Sequence, residues 1–144
     1  GDYDRQEFMR RLAAFEKEIV PVRGGRLYPR VREVIESLRA GGARIFLVSN
    51  CGASGLRNFF SFTGLDDVFD GSAAHGVNGL DKAANIAMIV RTNGLQNPVY
   101  VGDTQLDIDS AHEAGIPAVW CSYGFGCAEG AEHTIGSFDQ LLTL

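Results

Sequence analysis

The stretch Pro98-Val99-Tyr100-Val101-Gly102-Asp103-Thr104-Gln105-Leu106-Asp107 indicates the fold of this chain. Its first four residues form a short apolar run, as found in strands that are buried on both faces of a sheet. Gly102 and Asp103 break this run, and a short helix is predicted from Leu106 to Ala114. A strand that ends in a carboxylate and leads directly into a helix is typical of parallel α/β sheets.

The same alternation extends along the chain in both directions. The predicted helices are 4–20 (ended by Pro21), a segment from Pro29 to Gly41, a segment around Leu56–Phe60 that stops at Gly64, 81–92 and 138–142. The predicted strands are 43–48 (followed by a turn over 49–52), 98–101, 116–121 and 133–135, with loops over 65–80 and 122–130. Alternating strands and helices imply right-handed crossovers and a parallel sheet covered on both faces. The expected fold is therefore α/β, a Rossmann-like doubly wound parallel sheet.

The composition is that of an ordinary globular chain and excludes several classes of partner. The 144 residues are 45% hydrophobic and 22% charged, about one domain in size, and the net charge of −5 disfavours nucleic acid as a partner. No apolar run approaches the roughly 20 residues of a membrane helix, so no membrane association is expected. The three cysteines are expected to be reduced thiols in a cytoplasmic protein.

Asp103 and Asp107 are the strongest candidates for chemistry. Asp103 ends a predicted strand, and Asp107 follows four residues later, so both carboxylates can face one pocket once the helix starts. Like charges at this spacing repel by roughly 0.2–0.5 kcal/mol unless a cation lies between them. Carboxylates at a strand end are ligands that Mg²⁺ uses. The structural alternative is that Asp103 caps the helix and Asp107 is solvated.

Two weaker signals point to the same edge of the sheet. Ser49 and Asn50 follow the apolar run 45–48 and can bind a phosphoryl oxygen, although both residue types also commonly shape turns. Asp81 is predicted to cap the helix that starts there, and Lys82 follows it in the first turn, where a cation opposes the helix dipole. A cation is favourable at that position if the Lys82 side chain points toward a phosphate or a carboxylate. Otherwise Lys82 is an ordinary surface lysine.

Taken in this order, Ser49, Lys82, Asp103 and Asp107 resemble motifs two to four of the haloacid dehalogenase-like hydrolase superfamily. The resemblance runs from about Leu27 to Leu144. Within the superfamily, the chain most resembles the phosphoglycolate phosphatase and nucleotidase branch. It implies a Rossmann-like core over 28–144, a linker over 23–27, and a last helix of a helical cap over 1–22. The segments that carry the branch resemblance are 27–29, 111–116, 122–126 and 131–141.

The resemblance also implies a role for each site residue. Ser49, helped by the Asn50 backbone, would bind the phosphoryl oxygens, and Lys82 would neutralise charge on the nucleophile and the phosphate. Asp103 would ligate Mg²⁺. Asp107 would either hold a metal-bound water or orient Lys82. The implied activity is Mg²⁺-dependent hydrolysis of a small phosphorylated metabolite.

The first motif of the family, a hydrophobic strand ending in Asp-x-Asp, is missing. Asp2-Tyr3-Asp4 has the letters, but no hydrophobic strand precedes it in this sequence. In the family that strand lies between the Ser49 and Asp103 strands, so the core is expected to be incomplete, with the nucleophilic aspartate upstream of this chain. An incomplete sheet has edges that a second copy can pair with, so a homo-oligomer is among the expected partners.

Three other functions stay open at this point. A catalytically inactive phosphate- and metal-binding module, regulatory in role, would keep the same residues. A phospho-acceptor receiver domain is disfavoured, because it places its acidic pair near the start and its lysine near the end. A dehalogenase works without metal, so the second carboxylate at Asp107 disfavours it.

Overall fold

The computed structural model describes residues 5–144 as strands and helices in alternation. The helices are α1 (Arg5–Glu18), α2 (Val20–Arg23), α3 (Val31–Ala40), α4 (Ala53–Thr63), α5 (His75–Asn78), α6 (Lys82–Asn93) and α7 (Gln105–Glu113), and a 3₁₀ helix spans Phe138–Thr143. The strands are β1 (Phe46–Gly52), β2 (Gly71–Ala74), β3 (Tyr100–Gly102), β4 (Ala118–Cys121) and β5 (His133–Ile135). The predicted α/β fold is confirmed.

All strand pairs in the described part of the chain are parallel, and they form two sheets. β1 pairs with β2 in one sheet, and β3, β4 and β5 pair in that order in the other. No backbone pairing joins β1 to β3 within residues 5–144. The strands that carry Ser49 and Asp103 are therefore not neighbours, in agreement with the sequence prediction.

The prediction of a loop over 65–80 was wrong in its second half. Gly71-Ser72-Ala73-Ala74 is strand β2, and its small residues gave no β-branched or aromatic signal by which to recognise it. Pairing with β2 also extends β1 beyond Val48, so Ser49 and Asn50 lie within a strand and not in the predicted turn. An isolated bridge between Gly52 and Gly76 continues the pairing, and a Cβ at Gly76 would overlap the Gly52 backbone.

The N-terminal helix is confirmed, but its end was misplaced. α1 ends at Glu18, and Pro21 lies inside the short helix α2, where the first turn tolerates a residue without an N–H. The predicted start at Asp4 lies outside the described residues. The division of the chain into cap helix, linker and core stays a prediction.

The core beside the candidate site is formed by β3, β4, α6, which begins at Lys82, and α7, which begins two residues after Asp103. Ile86 of α6, Ile108 and Ala111 of α7 and Ala118 of β4 are buried together. Burial of this kind, about 1.5–3 kcal/mol for a large aliphatic side chain, fixes α6 and α7 against the sheet. Lys82 and Asp107 are therefore carried on two packed helices.

We expect replacement of Ile108 by Ala to destabilise the fold strongly. Its side chain is fully buried, so the change leaves a cavity and should lower the free energy of unfolding by about 2–5 kcal/mol in a urea titration. Leu106→Ala on the same helix is the matched control, since Leu106 is 54% exposed and should cost under about 1 kcal/mol. Equal losses in the two variants would contradict this packing.

Candidate active site

Asp103 directly follows β3, at the carboxyl end of the sheet. Its Oδ2 accepts a hydrogen bond of 2.8 Å from the Phe125 backbone N–H, and its own carbonyl accepts one of 3.2 Å from Trp120 Nε1. No hydrogen bond within the described residues reaches its Oδ1. The loop after β4 therefore fixes one oxygen of this half-buried carboxylate and leaves the other one available to a ligand.

Gly124 allows this loop to approach Asp103 so closely. A Cβ at position 124 would lie 2.8 Å from Asp103 Cγ and would also overlap Oδ2. Gly126 is restricted in the same way, with a Cβ at 2.7 Å from the Asp103 carbonyl oxygen. The segment 122–130 was predicted only as a loop, and its contact with Asp103 was missed. The glycines at 124 and 126 were the available signal, because glycine permits close approach of one backbone segment to another.

Asp107 is buried, and its Oδ2 accepts three hydrogen bonds. The donors are the backbone N–H of Asp103 at 3.0 Å, the backbone N–H of Thr104 at 3.0 Å and Thr104 Oγ1 at 2.9 Å. Thr104 and Asp107 form a capping box at the start of α7. Thr104 was not among the predicted site residues, although Thr-x-x-Asp is a recognised form of this signal. The neighbouring Gly102 leaves room for the carboxylate, because a Cβ there would lie 2.8 Å from Oδ2.

Lys82 is the first residue of α6, and its Nζ donates to Asp107 Oδ1. The side chains of Lys82 and Asp107 are only 13% and 6% exposed, so the ion pair is shielded from solvent. Asp81 caps the helix through its carboxylate, which accepts from Ala84 N at 2.8 Å, as predicted. The ion pair explains why a cation is tolerated at the positive end of α6.

The ion pair also sets the charge state of Asp107. Burial alone would raise the pKa of this carboxyl group, but the hydrogen bond and charge of Lys82, together with the bonds from Thr104, lower the pKa below its usual value. Asp107 is therefore ionised at neutral pH and faces Lys82. Since both of its oxygens already have donors, this geometry favours the orienting role for Asp107 over the role of metal ligand.

Ser49 and Asn50 lie at the carboxyl end of β1. Ser49 Oγ accepts a hydrogen bond of 3.1 Å from Cys51 N, which leaves the hydroxyl proton of Ser49 free to be donated. Asn50 is exposed and lines an open depression of about 410 Å³ together with Lys82. No hydrogen bond in the described part of the chain joins Ser49 or Asn50 to the carboxylate pair.

One side chain connects the two sheets near the site. The hydroxyl of Tyr100, on β3, donates to the carbonyl oxygen of Val48 on β1 at 3.3 Å. Burial, with the negative charges of Asp107 and Asp103, raises the pKa of Tyr100, so the hydroxyl keeps its proton. Nothing in the sequence singled out Tyr100 from the other apolar residues of its strand.

The donor set fits a single divalent cation only in part. Among residues 5–144 there is no group of three or more His, Cys, Asp or Glu side chains that could hold a metal ion. Mg²⁺, however, is commonly held by one or two carboxylates, with waters and substrate phosphate as the other ligands. Asp103, with a free oxygen at the sheet edge, fits that pattern, and the role of Asp107 toward a metal stays a prediction.

The order of strand, carboxylate and helix, with a lysine at the start of the preceding helix, is the pattern on which the family resemblance rests. The chain belongs to the haloacid dehalogenase-like hydrolase family, whose model matches residues 2–121. The Rossmann-like fold expected from the sequence is the fold of its structural relatives. In the described residues, no helix has the length and apolar character that a membrane crossing needs.

Among individual proteins, the chain is similar to phosphoglycolate phosphatases. It is 26% identical over 130 residues to the phosphoglycolate phosphatase of Haemophilus influenzae, with 83% of this chain and 57% of that protein covered. It thus spans a little over half the length of this curated relative. A crystal structure described as a predicted phosphoglycolate phosphatase from Haemophilus somnus superposes with a TM-score of 0.82 at 25% identity, covering 98% of this chain and 68% of that one.

A further solved structure shows the fold alone. A putative phosphatase from Clostridium difficile has a TM-score of 0.84 at 16% identity and covers 98% of this chain and 71% of that chain.

We expect the stability of the fold to depend on the ionisation of Asp107. Because its pKa is lower in the folded chain than in the unfolded chain, where it is about 3.9, the stabilisation is present above that pH. It should be lost as the pH falls through the lower, folded-state value. Urea titrations between pH 2 and 7 should show this loss in the wild type and a weaker pH dependence in Asp107→Asn.

The control for this prediction is Asp109→Asn on the same helix. Asp109 is exposed, and among the described residues its side chain has one hydrogen bond, accepted from Gln105 Nε2, so this variant should keep the wild-type pH profile. A flat profile in the wild type would show that the ion pair does not stabilise the fold.

A Cβ at position 124 should disturb the site, whereas one at position 136 should not. Gly124→Ala forces the loop away from Asp103, and we expect a loss of about 1–3 kcal/mol in the free energy of unfolding. In Gly136→Ala the new atom meets its nearest neighbour at 3.8 Å, an ordinary contact, so the change should stay within about 0.5 kcal/mol. Thermal or urea unfolding of both variants decides this, and a stable Gly124→Ala chain would refute the close packing.

Proposed function

We propose that the protein hydrolyses phosphomonoesters of small metabolites in a Mg²⁺-dependent reaction, as phosphoglycolate phosphatases do. One observation carries the proposal: the shielded Lys82 is held by Asp107, and the backbone N–H of Asp103 donates to Asp107 Oδ2 at 3.0 Å. Through Asp107, this arrangement links the Lys82 ammonium to the backbone of Asp103, whose Oδ1 accepts no hydrogen bond from the described residues. Preorganised charge of this kind is the main catalytic resource for phosphoryl transfer.

Each residue of the site has a task in this proposal. Lys82 neutralises charge on the nucleophile and the transferring phosphoryl group, and Asp107 keeps its ammonium in place. The Ser49 hydroxyl and the Asn50 backbone N–H donate to phosphoryl oxygens. Asp103 would hold Mg²⁺, which when bound supplies further positive charge to the phosphate.

The nucleophile is proposed to lie on a strand outside this chain. β1 and β3 each have one edge without a strand partner among the described residues, and the Tyr100 hydroxyl links the two strands. A parallel strand between them would end at the same edge of the sheet as Ser49 and Asp103, so a carboxylate at its end would meet both. This supports an upstream aspartate in the whole protein.

The proposed chemistry is a double displacement. The aspartate oxygen attacks phosphorus, the bond from phosphorus to the ester oxygen breaks, and the leaving alkoxide takes a proton from the second aspartate of the proposed upstream Asp-x-Asp motif. That second aspartate regains its proton from the water that attacks in the next step. Water then attacks the aspartyl-phosphate, which releases inorganic phosphate and restores the carboxylate. The substrate is a small phosphorylated metabolite. A homo-oligomer that pairs the open sheet edges stays a prediction.

The second candidate function is an inactive phosphate- and metal-binding module. The observation in its favour is that none of the described strands supplies an aspartate between β1 and β3. Such a module would bind phosphate at Lys82 and Ser49 without turnover.

We expect Mg²⁺-dependent hydrolysis of p-nitrophenyl phosphate by the native protein, and a loss of at least about 100-fold in Asp103→Asn. The assay is paired with the intact mass of the protein isolated from its source. A mass above 15.6 kDa would show that the native protein extends beyond this chain. Adding excess EDTA should remove the activity, and Mg²⁺ should restore it.

Asp109→Asn is again the matched control, since it makes the same chemical change at an exposed position of α7. It should retain the wild-type rate. No turnover at a native mass of 15.6 kDa, with inorganic phosphate bound and that binding weakened in Lys82→Met, would replace the hydrolase by the inactive module.

A further inference from the structure

Lys82 has a second neighbour besides Asp107, the aromatic ring of Tyr100. Its Nζ lies 6.0 Å from the centroid of that ring. An ammonium group at this distance from an aromatic face is attracted by the ring quadrupole, and more strongly where solvent is excluded. The Lys82 side chain is 13% exposed, so its ammonium group is shielded from solvent. The Tyr100 ring and the Asp107 carboxylate are two of the groups beside it.

The Tyr100 ring is itself held by the core. It packs against the buried cluster that contains Ile86 of α6 and Ile108 of α7, on the face of the sheet that these helices cover. Its hydroxyl is fixed separately, by the hydrogen bond to Val48 on β1. The ring position is therefore set by the same two helices that carry Lys82 and Asp107.

The two contacts of Tyr100 differ in what they depend on. The hydroxyl bond uses a carbonyl on the open edge of β1, which an added strand would compete for. The ring contact lies on the helix-covered face and does not involve that edge. The contact with Lys82 is thus a property of this chain whatever pairs with β1.

We propose that Tyr100 is a positioning residue that holds the Lys82 ammonium, through its ring face, against Asp107. The mechanistic importance of this position rests on the phosphoryl-transfer role proposed above for Lys82. The positioning itself is a statement about the folded chain and can be tested without turnover.

The lysine content of the chain makes a direct test simple. Lys17 and Lys82 are the only two lysines among the 144 residues, and Lys17 is exposed. Incorporation of isotope-labelled lysine therefore gives two sets of side-chain NMR signals from these 144 residues, with Lys17 as the internal reference. We expect the CεH₂ protons of Lys82 to be displaced from those of Lys17 by the ring current of Tyr100.

Two substitutions separate the ring from the hydroxyl. Tyr100→Phe removes only the hydroxyl and should keep the displaced Lys82 signal. Tyr100→Leu removes the ring and should move the Lys82 signal toward that of Lys17. The rate of acylation of Lys82 by an N-hydroxysuccinimide ester, relative to that of Lys17, should rise roughly 2- to 30-fold in Tyr100→Leu and stay unchanged in Tyr100→Phe.

The wild-type spectrum keeps the test decisive even if Tyr100→Leu does not fold. A wild-type Lys82 signal that coincides with that of Lys17 would overturn the proposal, as would an unchanged signal and acylation rate in a folded Tyr100→Leu chain. Loss of the displaced signal in a folded Tyr100→Phe chain would also overturn it, because the hydroxyl and not the ring would then position Lys82. The NMR and acylation measurements do not require hydrolysis of phosphate esters. The positioning proposal and the proposed hydrolase function can therefore be contradicted independently of each other.

Discussion

The ion pair between Lys82 and Asp107 joins the elements on which the candidate site depends. It connects the first turn of α6 to the first turn of α7, and Asp107 is also bonded to the backbone that leaves β3. Burying two opposite charges costs desolvation energy. Their attraction offsets this cost only where their remaining hydrogen-bonding capacity is also filled. Here Asp107 accepts from three further donors, so its charge is satisfied and its orientation is fixed. Loss of either partner would leave an uncompensated charge in a shielded place.

Close backbone approach is the second constraint, and glycines at three positions permit it. Gly102 leaves room for the Asp107 carboxylate, Gly124 for that of Asp103, and Gly76 for the backbone of β1. In each case a Cβ would overlap an atom of the neighbouring segment. Close contacts between neighbouring backbone segments therefore contribute more to the shape of the site than long side chains do. This explains how a chain with one shielded lysine and two carboxylates can hold them without a large cavity.

Sequence reasoning recovered the parts of the fold whose signals are local. The Asp81 cap, the end of α4 at Gly64 and the helix after Asp103 depend on neighbouring residues, and all three are present. β2 was missed because Gly-Ser-Ala-Ala has no strand pattern of its own and becomes a strand only by pairing with β1. The same pairing turned the predicted turn at Ser49 and Asn50 into strand. Tyr100 and Phe125 were missed because their roles come from contacts 52 and 22 residues away in the chain.

The amino-acid sequence by itself determined the α/β class, the carboxyl-end placement of Asp103 and the positions of Lys82 and Asp107 on two helices. These follow from hydrophobic periodicity, capping and the order of strand, acid and helix, which all act over a few residues. Only the tertiary structure decided that Asp107 faces Lys82 with both oxygens occupied, and that the loop at Gly124 holds one oxygen of Asp103. It alone decided that the Tyr100 hydroxyl bridges β1 and β3, which are not paired with each other. Those outcomes depend on how separate segments pack, and no short-range pattern encodes the distance between them.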